Sequence, residues 1–315
     1  MKHLACMASL SAVIGLAAFG KPANDQEDDK PVSGDAIIRR KAGPSEIVIT
    51  TTSRVAGAIH SLRWNGKEFV DSTDHGRQIQ SASNFDCRMT FVPEVFNPTE
   101  AGSLSDGAGP TSSSRLLELK ASDNRLSTRT RMAFWLRPGE KSQGHPARNT
   151  AALSEHILAK DVTIGYKTLA HAIEYNVTFF VPMVEQHTFA QFEAVTGYMP
   201  AEFQSFHRFD RRTKALVRLS DGPGEQADPV VLSTEDGAFA MGVYSPDQPS
   251  KGFEAAGYGR FKFRAEKVVK WNCVFRVRDA KNIPGGEYRY RCFLVVGDRV
   301  DCETTIRALS DLFAN

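Results

Sequence analysis

From residue 45 onward, apolar and polar side chains change place at nearly every second position, the period of a strand with one buried face. The segment EIVITTTSRVAGAIHSLRWNGKEFV is dense in β-branched residues. Its Asn65-Gly66 pair signals a hairpin turn, because both residue types tolerate positive φ. Further strands are predicted at RLLELKA (115–121), TRMAFWLR (130–137), AIEYNVTFFVP (172–182), PVVLST, GAFAMGVYS, VVKWNCVFRV and YRYRCFLVVG, with Gly, Pro, Asn and Asp clusters between them. Helical period is scarce. ETTIRALSDLFA predicts a short terminal helix, and AALSEHILAKDV one turn. The chain therefore reads as all-β. Its many short strands exceed an immunoglobulin-like sandwich, and a large antiparallel β-sandwich with a cleft on a curved face is the natural solution.

The first residues follow another pattern. Met1-Lys2-His3 precedes an apolar run from Leu4 to Gly20, and small residues then lead into a polar segment. These are the parts of a secretory signal peptide, expected over residues 1–23, with the bond after Ala23 as one small-residue cleavage site and Gly20 or the Ala pair before it as others. The run is short and weakly apolar for a bilayer span, so a secreted or periplasmic chain without a membrane span is expected. Residues 24–44, with the cluster QEDDK, read as a flexible linker or tail, and residues 45–315 as the β-sandwich domain.

Charge then limits the partners. There are 39 Lys and Arg against 37 Asp and Glu, a formal net charge of +2. Cleavage after Ala23 would remove Lys2 and Lys21 and no acid, bringing the two counts level. Nothing in that balance points to nucleic acid or an anionic membrane. Export also gives the cysteines a new meaning. Without Cys6 four remain, and an even number permits two disulfides. A hairpin across the Gly285-Gly286 turn would bring Cys273 beside Cys292, which leaves Cys87 with Cys302; four buried thiols are the alternative. No Cys or His spacing suggests zinc, so neither metal nor cofactor is expected.

Three polar clusters break the strand rhythm. STDHGRQIQSASNFD carries His75, Arg77, Gln78 and Gln80; FNPTEAGS carries Asn97 and Glu100; VEQHTFAQFEAVTGYMP carries His187, Gln191, Glu193 and Tyr198 directly after a strand. Amides, guanidinium groups and carboxylates beside aromatic rings suit a polyhydroxylated ligand, whose hydroxyls pair with planar polar groups while its ring face lies on an aromatic ring. Solvated turn residues are the competing reading for each one. His156 and His171 have no sequence neighbours that suggest chemistry.

The order of these segments resembles galactose mutarotase-like (aldose 1-epimerase-like) domains. AGAIHSLRWNGKEFVDSTDHGRQIQSA is similar to their opening strand, turn and substrate-binding Arg segment. NPTEAG is similar to their Asn-x-Leu-His-Gly-Gly loop, with Glu100 where a sugar-binding His stands. EQHTFAQF resembles the Asn-His-Ser/Thr-Tyr-Phe segment, and VVKWNCVFRVRDAKNIPGGEYRYRCFLVV the closing strands. The resemblance spans nearly all of residues 45–315. It implies the supersandwich fold, His187 as the counterpart of the general acid, and a saccharide as ligand. It also shows a departure: Lys270-Trp271-Asn272 stands where the family carries its catalytic Glu. Mutarotation needs that base, so true mutarotase activity is not expected.

Two functions stand ahead of a purely structural secreted sandwich, because the three polar clusters fall where the resemblance places the ligand cleft. The first is an enzyme on mono-, oligo- or polysaccharides. A lyase would draw a base and carboxylate-neutralising donors from Arg77, Asn97, His187, Tyr198 and Lys270, whereas a hydrolase would pair Glu100 with Glu193. In this reading His187, Glu100 and Tyr198 are catalytic, and His75, Arg77, Gln80, Asn97, Gln191, Glu193 and Lys270 bind substrate. The second is a carbohydrate-binding or envelope protein that kept the cleft without the chemistry.

Overall fold

The computed structural model describes residues 31–253 and 257–314. The expected signal peptide lies outside these residues. The chain pairs its strands into two antiparallel ladders. The first runs Ala36–Ala42, Ser45–Thr51, Ile59–Trp64, Ile79–Phe85, Phe189–Pro200, Val268–Arg278, Tyr258–Phe263 and Gly224–Gln226. The second runs Arg115–Ser122, Arg125–Phe134, Leu153–Tyr166, Leu169–Val181, Gly286–Gly297, Ala240–Tyr244, Val230–Ser233, Ser205–Asp210 and Ala215–Arg218. The short strand Pro98–Thr99 pairs with Ala82 in one ladder and with Ala133 and Phe134 in the other, and so joins them.

Alternation decides which side chains meet between the ladders. Phe192 of the first lies 5.0 Å from Phe179 and 5.4 Å from Tyr290 of the second, and Phe275 stacks on Tyr290 at 4.2 Å between ring centres. Gly197 is required where it stands, since a Cβ would come within 2.3 Å of the buried Trp271 ring. On Gly286–Gly297, Cys292, Leu294 and Val296 enter this core while Phe293 and Val295 face the opposite way. That outward apolar row is covered by the helix Arg299–Leu312 through Cys302, Ile306 and Leu309. Asp298 caps the helix, its carboxylate accepting from the Asp301 amide at 2.7 Å.

The all-β sandwich and the terminal helix match the sequence pattern, and Asn65 and Gly66 both take positive φ, at 49° and 75°. Four expectations differ. Ala36–Ala42 is a strand, not linker, because Ile38 and Ala42 are buried in the core. The turn expected in AALSEHILAKDV is part of the strand Leu153–Tyr166. The third polar cluster contains the strand Phe189–Pro200 itself. Lastly, Val268–Arg278 and Gly286–Gly297 form no hairpin, since each pairs within a different ladder.

Cys273 and Cys292 therefore meet across the core, unbonded, and burial together with Cys273 pushes the Cys292 thiol well above its usual range. Cys302 donates to the Ala240 carbonyl at 3.3 Å, and burial pushes the Cys87 thiol up to about 12. All four are free thiols, and neither expected disulfide exists. No helix among the described residues is long and apolar enough to cross a membrane.

Candidate functional site

Among the described residues, no helix covers the outer face of the first ladder. There Ile79–Phe85 and Phe189–Pro200 turn Gln80, Ala82 and Asn84, and Gln191, Glu193, Thr196 and Tyr198, into a cavity of about 400 Å³. Glu193 and Tyr198 are five residues apart and would point to opposite faces of a regular strand. A bulge between Glu193 and Val195 inserts one residue relative to both neighbouring strands, which returns Thr196 and Tyr198 to the cavity side. The Ala194 carbonyl at the bulge accepts the Ser81 hydroxyl at 2.7 Å.

Lys270 enters the floor directly opposite Tyr198 in the neighbouring strand. Its Nζ lies 3.2 Å from a Glu193 oxygen, 5.1 Å from the centre of the Tyr198 ring and 5.6 Å from that of Phe261. Burial opposes charge on this amine, but Glu193 and Tyr198 outweigh it and hold Lys270 above the usual lysine range. The floor thus carries a fixed cation and a carboxylate in contact, next to a phenol.

The walls come from two loops and the end of a strand. Trp135, half-buried just past Arg125–Phe134, lies against Gly76, where a Cβ would sit 2.8 Å from its ring. Arg77 is held by Asp74 at 3.0 Å. His75 is a clamp: its Nδ1 and Nε2 are each 2.7 Å from a carbonyl oxygen, of Gly107 and Arg54 respectively. Gln80 likewise ties loops together, donating to the Gly76 carbonyl and accepting from the Ala101 amide. Asn97 donates to Ser83 at 2.6 Å, and Gln191 accepts from Arg276 at 3.1 Å. Nδ2 of Asn84 and Nε2 of Gln191 have no protein partner among the described residues and remain for a ligand.

All seven expected substrate-binding residues line this cavity: His75, Arg77, Gln80, Asn97, Gln191, Glu193 and Lys270, and Tyr198 joins them. The other two expected catalytic residues do not. Glu100 is fully buried, one oxygen paired with the equally buried Lys160 and the other accepting the Ser81 amide at 3.0 Å. His187 is also buried, its ring 4.5 Å from Phe85 and 5.5 Å from Phe96. Its Nε2 lies 3.1 Å from Glu185, which His156 also reaches at 2.8 Å. Both residues brace loops from inside the core.

Sequence reasoning missed Trp135, Asp74, Asn84, Glu94 and Thr196 as lining residues. Trp135 left a usable trace. Three consecutive apolar residues, Met132 to Phe134, precede it and mark the point where alternation ends.

No known family profile matches this chain, and no curated protein matches it. Among solved structures, it is similar to the α-galactosidase of Lactobacillus brevis at 11% identity and a TM-score of 0.42, covering 84% of this chain and 40% of that one. A glycosyl hydrolase family 38 protein of Enterococcus faecalis aligns at 10% identity and a TM-score of 0.47, covering 87% and 33%. A Klebsiella pneumoniae protein described as a candidate aldose 1-epimerase aligns at 8% identity and 0.41, covering 89% and 92%. The chain thus spans well under half of the first two.

Proposed function

We propose that the cavity binds a saccharide and that the protein acts on it by proton abstraction, in the manner of a polysaccharide lyase. One observation carries the reading: Trp135 and Tyr198 enclose one cavity with Arg77, Asn97, Gln191, Glu193 and Lys270. That combination supplies a ring surface for a sugar face and polar groups for its hydroxyls. Tyr198 is the base in this reading. Tyr198 acts as the phenolate, whose charge the Lys270 ammonium, fixed by Glu193, compensates. It takes the proton from the carbon beside the uronate carboxyl, the C–H pair forms the new double bond as the glycosidic C–O bond breaks, and the resulting phenol returns its proton to the leaving oxygen. Glu193 serves as the anchor of Lys270. A two-carboxylate hydrolase loses Glu100, which the core holds.

The second reading, a binding protein without catalysis, is favoured by the sequestration of His187 and Glu100. Both readings take the chain as exported after loss of residues 1–23, which the mass of the secreted protein would check.

The experiment exposes the protein to neutral and uronate-containing saccharides while following binding by tryptophan fluorescence and unsaturated products by absorbance. Trp135→Ala is expected to weaken binding by about tenfold or more, the loss of one aromatic surface. Tyr198→Phe is expected to keep binding and abolish product. Saturable binding without product in the wild type would select the binding protein. Absence of any binding would end the proposal.

A further inference from the structure

A second hollow, of about 760 Å³, opens beside the first. Among the described residues, Lys251, Arg276, Arg278 and Arg289 line it with Asp247 as the single acid, and Phe253 adds a ring. The two hollows share one strand pair. Tyr198 opposes Lys270, Gln191 opposes Arg276, and Phe189 opposes Arg278. Gln191 and Phe189 are two positions apart and so share a face, about 7 Å from each other along the strand. The Gln191–Arg276 hydrogen bond is the seam, for Gln191 lines the first hollow and Arg276 the second.

The cations differ in what holds them. Both oxygens of Glu225 engage Arg276, at 2.7 and 2.8 Å, and Glu287 pairs with Arg289. Arg278 has no carboxylate partner among the described residues; its guanidinium lies 5.0 Å from the centre of the Phe189 ring. An exposed Arg supported on an aromatic face, with no counter-ion among the described residues, is placed to bind an anion by donating two parallel hydrogen bonds.

We infer that the ligand of the Trp135 cavity is one end of an acidic oligosaccharide, whose carboxylate or sulfate group docks on Arg278 in the adjoining hollow. This rests on the saccharide reading and names its substrate class. The cavity takes the terminal sugar. The chain then passes Gln191, and the next anionic group meets the cationic hollow.

The test compares titrations of the full protein with oligogalacturonate, heparin-derived oligosaccharide and a neutral oligosaccharide of matched length, at low and high salt. An acidic oligomer is expected to bind at least about tenfold tighter than the neutral one at low salt, with the advantage shrinking at high salt. The preferred acidic oligomer identifies the anion as carboxylate or sulfate. Arg278→Gln is expected to remove that advantage, Arg278→Lys to restore part of it, and both to leave a neutral disaccharide binding as before. Arg289→Gln provides a second exposed site should the loss of the Phe189 contact disturb folding. Equal binding of acidic and neutral oligomers, or an unchanged salt dependence in both Gln variants, overturns the inference while the saccharide reading stands. No binding of any saccharide overturns both.

Discussion

Glu100 and Lys160 show how far a polar residue's role depends on partners remote in sequence. Glu100 stands in a Pro- and Gly-bounded loop, where a carboxylate is ordinarily solvated. Here neither side chain has solvent exposure, and the Tyr175 ring lies 6.0 Å from the Lys160 ammonium. A buried ion pair is weak evidence of stabilisation, but breaking one leaves a bare charge in the core. Glu100→Gln or Lys160→Met alone is therefore expected to cost about 3–5 kcal/mol in denaturant unfolding. The double variant is expected to recover much of that loss. Additive losses would show that the two side chains do not depend on each other.

At the scale of elements, the segment between Leu169–Val181 and Phe189–Pro200 is fastened from within. Burial pushes the Glu185 carboxyl up, but hydrogen bonds from His156 and His187 prevail and bring it down to about 2. A carboxyl lowered from its ordinary 4.5 favours the fold wherever it is ionised in both states. That stabilisation is complete above pH 4.5 and lost as the pH falls toward 2. Glu185→Gln should thus destabilise by on the order of 3 kcal/mol at neutral pH. The gap from wild type should close on acidification, as thermal melts across pH would record. A gap that widened in acid would contradict the latch.

The same segment explains what could be read beforehand. Gln191, Glu193 and Tyr198 were legible as a polar cluster that interrupts the apolar rhythm, and Lys270 by its place in the closing strands, whereas the bulge that sets Tyr198 beside Glu193 left no mark in the sequence. His187 was not legible, for its partners His156 and Glu185 meet only after the strands assemble. Trp135 was hidden for the opposite reason. A large aromatic at a strand end reads as core until the Gly76 loop is seen against it.

Across the whole molecule, two ladders bury a continuous core that needs no covalent tie. Cys273, Cys292 and Cys302 are fully buried and Cys87 partly, all as thiols. Reductant is expected to leave the melting temperature unchanged. A thiol reagent should modify Cys273, Cys292 and Cys302 only after unfolding, with mass spectrometry counting the adducts. A fall in melting temperature under reductant would demand a disulfide that this packing does not contain.

The bulge at Ala194 gives the strand Phe189–Pro200 two reading frames. Ahead of it, odd-numbered residues look into the cavity, and beyond it even-numbered ones do, so a single extra residue brings Glu193 and Tyr198 to one ligand. The site's chemistry thereby depends on the length of the strand as much as on its composition. Exchanging a side chain here alters one contact, whereas removing Ala194 would carry Thr196 and Tyr198 into the core and bring Gly197 and Met199 out in their place.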